Sequence, residues 1–354
     1  MSKKNYNYLS ASIYGIIHLL VDFACVIGVF AGIGESANNF AYIVLLYNMV
    51  AFLIQPIIGW YSDKLNKYRQ LLFLSCIFVL IGLCISPYSW LSVFIFGFGN
   101  ALFHVTAGAL CLNLDKRKTA FAGIFVAPGD VGLMAGTLIG KNLNLAVTHI
   151  FILTAVFFIL IILILFLDFK NKDSSEIFLT ESSESKKFVF EKEHIGMSII
   201  IFGIIITVRA FIGSNLSFSW IDSAVLTMLL AVFISAGKAA GGIIADKIGD
   251  KFTGTVALLI SSPFLAFLSA NMTASIIGIF LFNMTMPLTM TAIFRKMPAY
   301  PAFSFGIAAM ALLPGFYAGL SINVSPPLLL LIITITAGLL YYAFNMEQNG
   351  GKNE

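Results

Sequence analysis

The chain has 354 residues, 59% of them hydrophobic and only 11% charged, with a mean hydropathy of +0.95. No soluble domain of this length needs that much apolar surface, so most of these residues face lipid. The formal net charge is only +4, and the basic residues are dispersed over short loops, which excludes the continuous basic face that nucleic acid requires.

Twelve apolar segments, each close to the roughly 20 residues needed to cross a bilayer, follow in order: 10–33, 38–60, 70–87, 90–113, 119–141, 147–168, 194–213, 222–244, 253–270, 272–293, 300–320 and 326–345. The first follows Lys3 and Lys4 as a signal peptide would. It is too long for a signal core, contains His18 and Asp22, and lacks a small-x-small cleavage site, so it is expected to remain as a spanning helix. The interval 169–193, rich in Lys, Glu, Asp and Ser, is the most polar interruption and reads as a linker. The expected fold is an all-α membrane protein of twelve transmembrane helices. Residues 1–168 form an N-terminal six-helix bundle, 169–193 a cytoplasmic linker, and 194–354 a C-terminal six-helix bundle.

Alternate loops collect 18 of the 21 basic residues on one side, and the opposite loops hold only Lys141. By the positive-inside rule both termini and the linker are cytoplasmic, which places the chain in the cell membrane as a multi-pass protein. Cys25, Cys76, Cys84 and Cys111 all fall inside apolar segments without metal-site spacing and read as small buried hydrophobes. Neither a metal nor a cofactor is expected.

Two loops share the pattern Gly-x-x-x-Asp-Lys. Gly59 to Asp63-Lys64, followed by Arg69, ends segment 2, and Gly242 to Asp246-Lys247 ends segment 8. A carboxylate at a helix boundary can accept hydrogen bonds from an arginine or from a neighbouring helix N-terminus. Lys64, Lys67 and Arg69 equally suit a plain role as topology anchors. Twelve segments in two halves, a polar centre and this doubled loop resemble the major facilitator superfamily of secondary transporters. The resemblance implies that the loops gate the cytoplasmic side, with Asp63 as the latch acceptor, Lys64 and Arg69 as its partners, and Asp246 as the counterpart. In the first copy Asn66 stands where the superfamily usually has glycine. Phe103-His104 in segment 4 and Ile124-Phe125-x-x-x-Gly129-Asp130-x-Gly132-x-x-x-Gly136 in segment 5 are similar to the fosmidomycin-resistance-type exporters.

Ionisable groups in mid-bilayer cost about 2.5–3.5 kcal/mol each, so each needs a partner or a wet cavity. At about 1.5 Å per residue, Asp22 lies about 18 Å, Asp130 about 16 Å and His104 about 14 Å from the cytoplasmic ends. Tyr14, His18, Asp22 and Cys25 share one face of segment 1, as Gly97, Asn100, His104, Ala107 and Cys111 do in segment 4. Asp22, Asp130 and His104 are the expected proton-coupling groups, because a buried carboxylate is poised to bind and release a proton. His104 could equally be a neutral core histidine. His18, Tyr14, Gln55, Asn100, Arg209, Lys238, Asn283 and Met286 are candidate substrate contacts. Arg209 could attract an anionic group or neutralise a first-half carboxylate, and Lys238 could snorkel to the surface. Gly129, Gly132, Gly136 and Gly140 form a stripe suited to close helix packing.

The expected function is alternating-access secondary transport of a small-molecule substrate coupled to protons, by a monomer in the lipid bilayer. Export of a small organic or drug-like compound by antiport is implied by the resemblance, and uptake symport of a small anionic metabolite is the alternative. A membrane-embedded enzyme using a histidine and Asp22 finds no suitably spaced nucleophile, and a sensor would need an extramembrane domain.

Overall fold

The computed structural model describes residues 2–33, 39–85, 89–142, 155, 159 and 193–350. The sixth expected segment, residues 155 and 159 apart, and the linker up to residue 192 lie outside them. Among the described residues the only regular elements are helices. In chain order they are α1 (Lys3–Ile27), α2 (Phe40–Asn48), α3 (Gln55–Leu65), α4 (Tyr68–Cys84), α5 (Ser89–Leu112), α6 (Ala120–Asn142), α7 (Glu193–Asn215), α8 (Ala224–Ile248), α9 (Asp250–Phe267), α10 (Met272–Asn283), α11 (Thr285–Lys296), α12 (Pro301–Met310), α13 (Leu312–Ser321) and α14 (Pro326–Gly350). Nine helical stretches among these residues have the length and composition to cross a membrane, and α4 is a shorter apolar helix.

Lipid offers the backbone no hydrogen-bond partners, which is why these apolar runs become helices, with every N–H and C=O turned inward along the axis. Polar side chains are settled locally as well. Ser62, Thr106, Thr291 and Thr336 each return their hydroxyl to the carbonyl four residues earlier. Ser2, Ser223 and Asn271 cap the starts of α1, α8 and α10 by accepting from a backbone N–H three residues on.

Three expected spans are interrupted. Segment 2 passes from α2 through a π-helical turn, Met49–Leu53, into α3, where Pro56 stands in the first turn. Segment 10 breaks at Met284, just before Pro287, and segment 11 breaks at Ala311, just before Pro314. Each proline lacks the N–H that would continue the preceding helix and is tolerated only near the start of a new one.

In the first half α1 lies along α6 and α4 along α5; in the second, α7 lies along α13 and α9 along α14. The halves meet chiefly at two crossings, α3 with α12 and α6 with α8. Each crossing sets segment 2 or 8 of one half against segment 11 or 5 of the other. Exchanging the halves therefore maps one crossing onto the other, which is the pseudo-symmetry of the fold. The outward-facing residues include Ile16, Ile57, Ile200 and Ile335, exposed side chains suited to lipid.

Both Gly-x-x-x-Asp-Lys loops turn through positive-φ backbone, Gly249 with an extended ψ of 145° and Asn66 in the left-handed helical region. Gly249 has φ 90° and Asn66 has φ 52°, ψ 33°. Asparagine is among the few side chains that tolerate this region, so Asn66 can stand in for the usual glycine.

The glycine stripe of α6 forms the seam with α1. A Cβ on Gly132 would lie 2.0 Å from the carbonyl oxygen of Leu19, backbone that cannot step aside. Gly132→Val should therefore cost about 1–3 kcal/mol by overpacking. Gly338→Ala, where a Cβ meets nothing within 4 Å, should change stability by less than about 1 kcal/mol. Thermal unfolding of the two purified variants checks this; equal losses would contradict the seam.

Candidate functional site

The polar stripes of α1 and α5 meet. His18 and Asp22, one turn apart, bring His18 Nε2 to 3.1 Å from Asp22 Oδ2. From α5, His104 Nε2 lies 2.8 Å from His18 Nε2 and 3.7 Å from Asp22 Oδ1, and the Asn100 amide donates to Asp22 Oδ1 at 3.0 Å. All four residues are buried or nearly so. A Cβ on Gly129 would lie 2.5 Å from His18 Nε2 and 2.9 Å from Asp22 Oδ2, so α6 must carry no side chain at this level. The rings of Phe103, Phe125 and, from the second half, Phe305 surround the two imidazoles. The result is a polar cluster inside an aromatic wall.

The outer nitrogens of the rings decide its chemistry. His18 Nδ1 lies 2.9 Å from the Phe125 carbonyl oxygen, and His104 Nδ1 lies 2.9 Å from the Asn100 carbonyl oxygen. A carbonyl only accepts, so both Nδ1 atoms carry hydrogen. In two neutral rings the Nε2 atoms would then present lone pairs to each other at 2.8 Å, which repel. One further proton on that axis turns the repulsion into an N–H···N bond, and Asp22 balances its charge. A proton on His18 Nε2 also reaches Asp22. The three side chains therefore form a neutral, one-proton assembly.

The same residues offer three potential metal-ligand atoms within 4.8 Å of one another. Two nitrogens on one tetrahedral ion, each at about 2.0–2.1 Å from it, would stand about 3.3 Å apart. The observed 2.8 Å between the two nitrogens is hydrogen-bond spacing, while the 3.1 and 3.7 Å separations from Asp22 lie on either side of the metal value.

Asp130 sits on α6 outside this cluster. Its carboxylate is held by Lys238 of α8, with Nζ 2.7 Å from Oδ1 and 2.6 Å from Oδ2. Lys238 is buried, so it does not snorkel; it is the second-half cation that neutralises a first-half carboxylate. Removing one partner leaves the other charge without compensation; with the Asp130 side chain 27% exposed, the cost should fall below the roughly 3–5 kcal/mol of a fully buried pair. Arg209 on α7 is buried, with Nη2 donating to the carbonyl of Phe282 on α10 at 3.2 Å and Cζ 5.1 Å from the Phe282 ring. Asn283, at the end of α10, turns its amide back to Ile279 O, and Met286 packs partly buried against the core. Gln55 is fully buried with its amide on Ala51 O, while its Oε1 has no partner. Tyr14 is half-buried on α1.

The two motif loops lie at the crossings. Asp63, fully buried, accepts from the backbone N–H groups of Ala302 and Phe303 at 3.0 and 2.9 Å, and from the Tyr68 hydroxyl at 2.6 Å. It caps the N-terminus of α12, across the boundary between halves. Asp246 accepts from Thr119 N at 2.7 Å and Ala120 N at 3.4 Å, and so caps α6 in the same way. The spacing of the motif follows from this. A Cβ on Gly59 would lie 2.4 Å from Ala302 O, and one on Gly242 would lie 2.7 Å from Thr119 O. Glycine lets the helices touch, and one turn later the aspartate meets the exposed N–H groups. Lys64 lies 3.5 Å over the Trp60 ring, Arg69 is half-buried beside Tyr68, and Lys247 is exposed. A further network joins the second crossing: Arg295 pairs with Asp250 and donates to Arg117 O and Thr119 Oγ1, while Thr119 Oγ1 donates to Asp250. Sequence reading missed Tyr68, Thr119, Asp250 and Arg295. The signal for Asp250 was its place four residues after Asp246.

Helix pairs arranged about two equivalent crossings define a membrane protein of the major facilitator fold. Residues 8–319 match the Major Facilitator Superfamily, and the chain belongs to it. No curated protein matches the sequence. Similar solved structures include the transporter FucP in its outward conformation (TM-score 0.65, 12% identity, covering 94% of this chain and 98% of that one). The E. coli fucose:proton symporter FucP is another (0.66, 13%, 97% and 98%). A third is the human organic anion transporter MFSD10 (0.65, 15%, 98% and 99%). At these identities the likeness concerns the fold.

The two caps differ in burial, which makes them separable. Asp63→Ala strands two backbone donors and a phenol in a closed interface and should cost about 2 kcal/mol or more. Asp246→Ala, at an exposed position, should cost about 0.5–1 kcal/mol. Thermal unfolding of the purified variants ranks them, and a larger loss at Asp246 would contradict this account.

Proposed function

We propose that the protein is a proton-coupled secondary transporter that moves a small organic solute across the cell membrane by alternating access, with the His18–Asp22–His104 cluster as the proton site. The observation that carries the coupling is the 2.8 Å contact between two imidazoles whose Nδ1 atoms are already engaged. A site built to hold one proton between two bundle helices, at about mid-depth, is where a proton gradient can act on the rocking of the halves. FucP is described as a fucose:proton symporter and MFSD10 as an organic anion transporter, and both support transport of a small solute.

In this reading the basic face is cytoplasmic, residues 1–168 and 194–354 are the two moving bundles joined by the 169–193 linker, and a monomer suffices. The conformation described is closed on the cytoplasmic side. Asp63 and Asp246 act as the latch, each holding the first turn of a helix in the opposite half, and the Asp130–Lys238 pair ties the halves together deeper in the membrane. Opening towards the cytoplasm requires all three contacts to part. Loss of the cluster's proton leaves two facing lone pairs beside Asp22, which drives α1 and α5 to rearrange. Proton binding and the choice of open side are thereby linked.

Export by antiport is the direction implied by the resemblance in α5 and α6. Uptake symport of a small anionic metabolite is the second reading, favoured by the buried guanidinium of Arg209. A solute selected by thermal-shift screening, followed in proteoliposomes under an imposed pH gradient, separates the two. Antiport accumulates it on the side from which protons enter; accumulation on the side that protons enter excludes export by antiport. Asp22→Asn should abolish gradient-driven accumulation while leaving solute exchange measurable, and Asp130→Asn should weaken both. Unchanged pH-dependent flux in Asp22→Asn would refute the coupling.

A further inference from the structure

Arg209 is a buried cation whose charge the described residues leave uncompensated. Its guanidinium stays protonated under any ordinary condition and carries five N–H donors. Among the described residues no carboxylate lies within ion-pair distance of it, in contrast to Lys238, which has Asp130. One N–H reaches the Phe282 carbonyl, the Phe282 ring lies 5.1 Å away, and Nε has no acceptor although it is buried. The Phe282 carbonyl is already taken by the Thr285 hydroxyl at 2.8 Å. A cation beside the C-terminus of a helix is favourable, which accounts for the contact with α10. It does not account for the open Nε–H or for the missing counter-charge.

Phe282 is the penultimate residue of α10, at the break where segment 10 restarts as α11. Interrupted helices near the bilayer centre are where such proteins assemble ligand sites, since irregular backbone is tolerated only where it lines a cavity or is buried in protein. Met286 and Met290 follow on α11, Met290 in the apolar core and Met286 partly buried against it.

We infer that Arg209 is the head-group subsite for the transported solute, and that the solute is a small organic oxyanion, a carboxylate or phosphonate. An oxyanion on the Nε edge would fill the vacant donor and neutralise the guanidinium at once, with the planar fork that arginine alone presents. This rests on the transporter reading above, and it specifies the substrate class.

Purified full-length protein in detergent tests it by thermal unfolding against matched probes at fixed ionic strength. These are benzoate with benzamide, lactate with lactamide, and methylphosphonate with its neutral dimethyl ester. Ligand-free Arg209→Met should unfold at least about 2 °C above wild type, because an uncompensated charge has been removed. At least one of the anions should stabilise wild type where its neutral partner does not, and that difference should vanish in Arg209→Met. Arg209→Met unfolding at or below the wild-type temperature would overturn the inference, since the guanidinium would then be a structural tether. Equal responses to anions and neutral partners, or an anion response that survives the substitution, would overturn it as well. Should Arg209→Met not fold, Arg209→Lys decides: it keeps the charge and loses the fork, so the half-saturating anion concentration should rise about tenfold or more, and an unchanged value overturns the inference. Wild type that responds to anions but shows no gradient-driven flux would refute proton coupling alone; the converse would refute this inference alone.

Discussion

Two imidazoles that both spend Nδ1–H on main-chain carbonyls cannot face each other at 2.8 Å through bare Nε2 atoms. They need a proton between them, and that proton needs an anion, which Asp22 supplies from the same turn of α1. Every nearby choice in the chain serves this requirement. Gly129 removes a side chain from α6 so that His18 and Asp22 fit, Asn100 takes the second oxygen of the carboxylate, and the Phe103, Phe125 and Phe305 rings keep the contact away from bulk water. In such surroundings an electrostatic contact is far stronger than in water, so gaining or losing one proton is a large perturbation.

The frame around the cluster uses a different device, repeated twice. At each crossing of the halves a glycine allows backbone contact, and the aspartate one turn later accepts the free N–H groups of the opposing helix. Neither part works without the other, because helices held apart by a side chain would leave the carboxylate short of its donors. Phe305 belongs to α12, the helix that Asp63 caps, and it also stands beside His104. The helix held at the basic face thus carries part of the aromatic wall around His104, at the proposed proton site. This gives a physical route between the two, through one rigid helix rather than a chain of small shifts.

Much of this was legible in the residues. The helix period alone placed His18 with Asp22 and Asn100 with His104, because residues one turn apart share a face and lipid forbids isolated polar groups. The doubled loop gave the two halves, and its aspartates were readable as acceptors for a neighbouring helix N-terminus. What the chain could not disclose was partnership across the fold. Asp130 and Lys238 are 108 residues apart on helices of opposite halves, and no periodicity links them. The main-chain carbonyls of Phe125 and Asn100, which set the protonation of the rings, leave no mark in a sequence. The break at Met284 was equally hidden, since an apolar run containing Pro287 reads as one span until its backbone is traced.

The protonation of the His18–His104 pair tests the account most directly, by nitrogen-15 solid-state NMR on histidine-labelled protein in bilayers, with His149→Gln and His194→Gln removing the other two histidines. At neutral pH both Nδ1 atoms should give protonated signals, and the two Nε2 atoms should share a single proton, with coupling between them across the contact. Two neutral rings with no shared proton, or a hydrogen missing from either Nδ1, would contradict it.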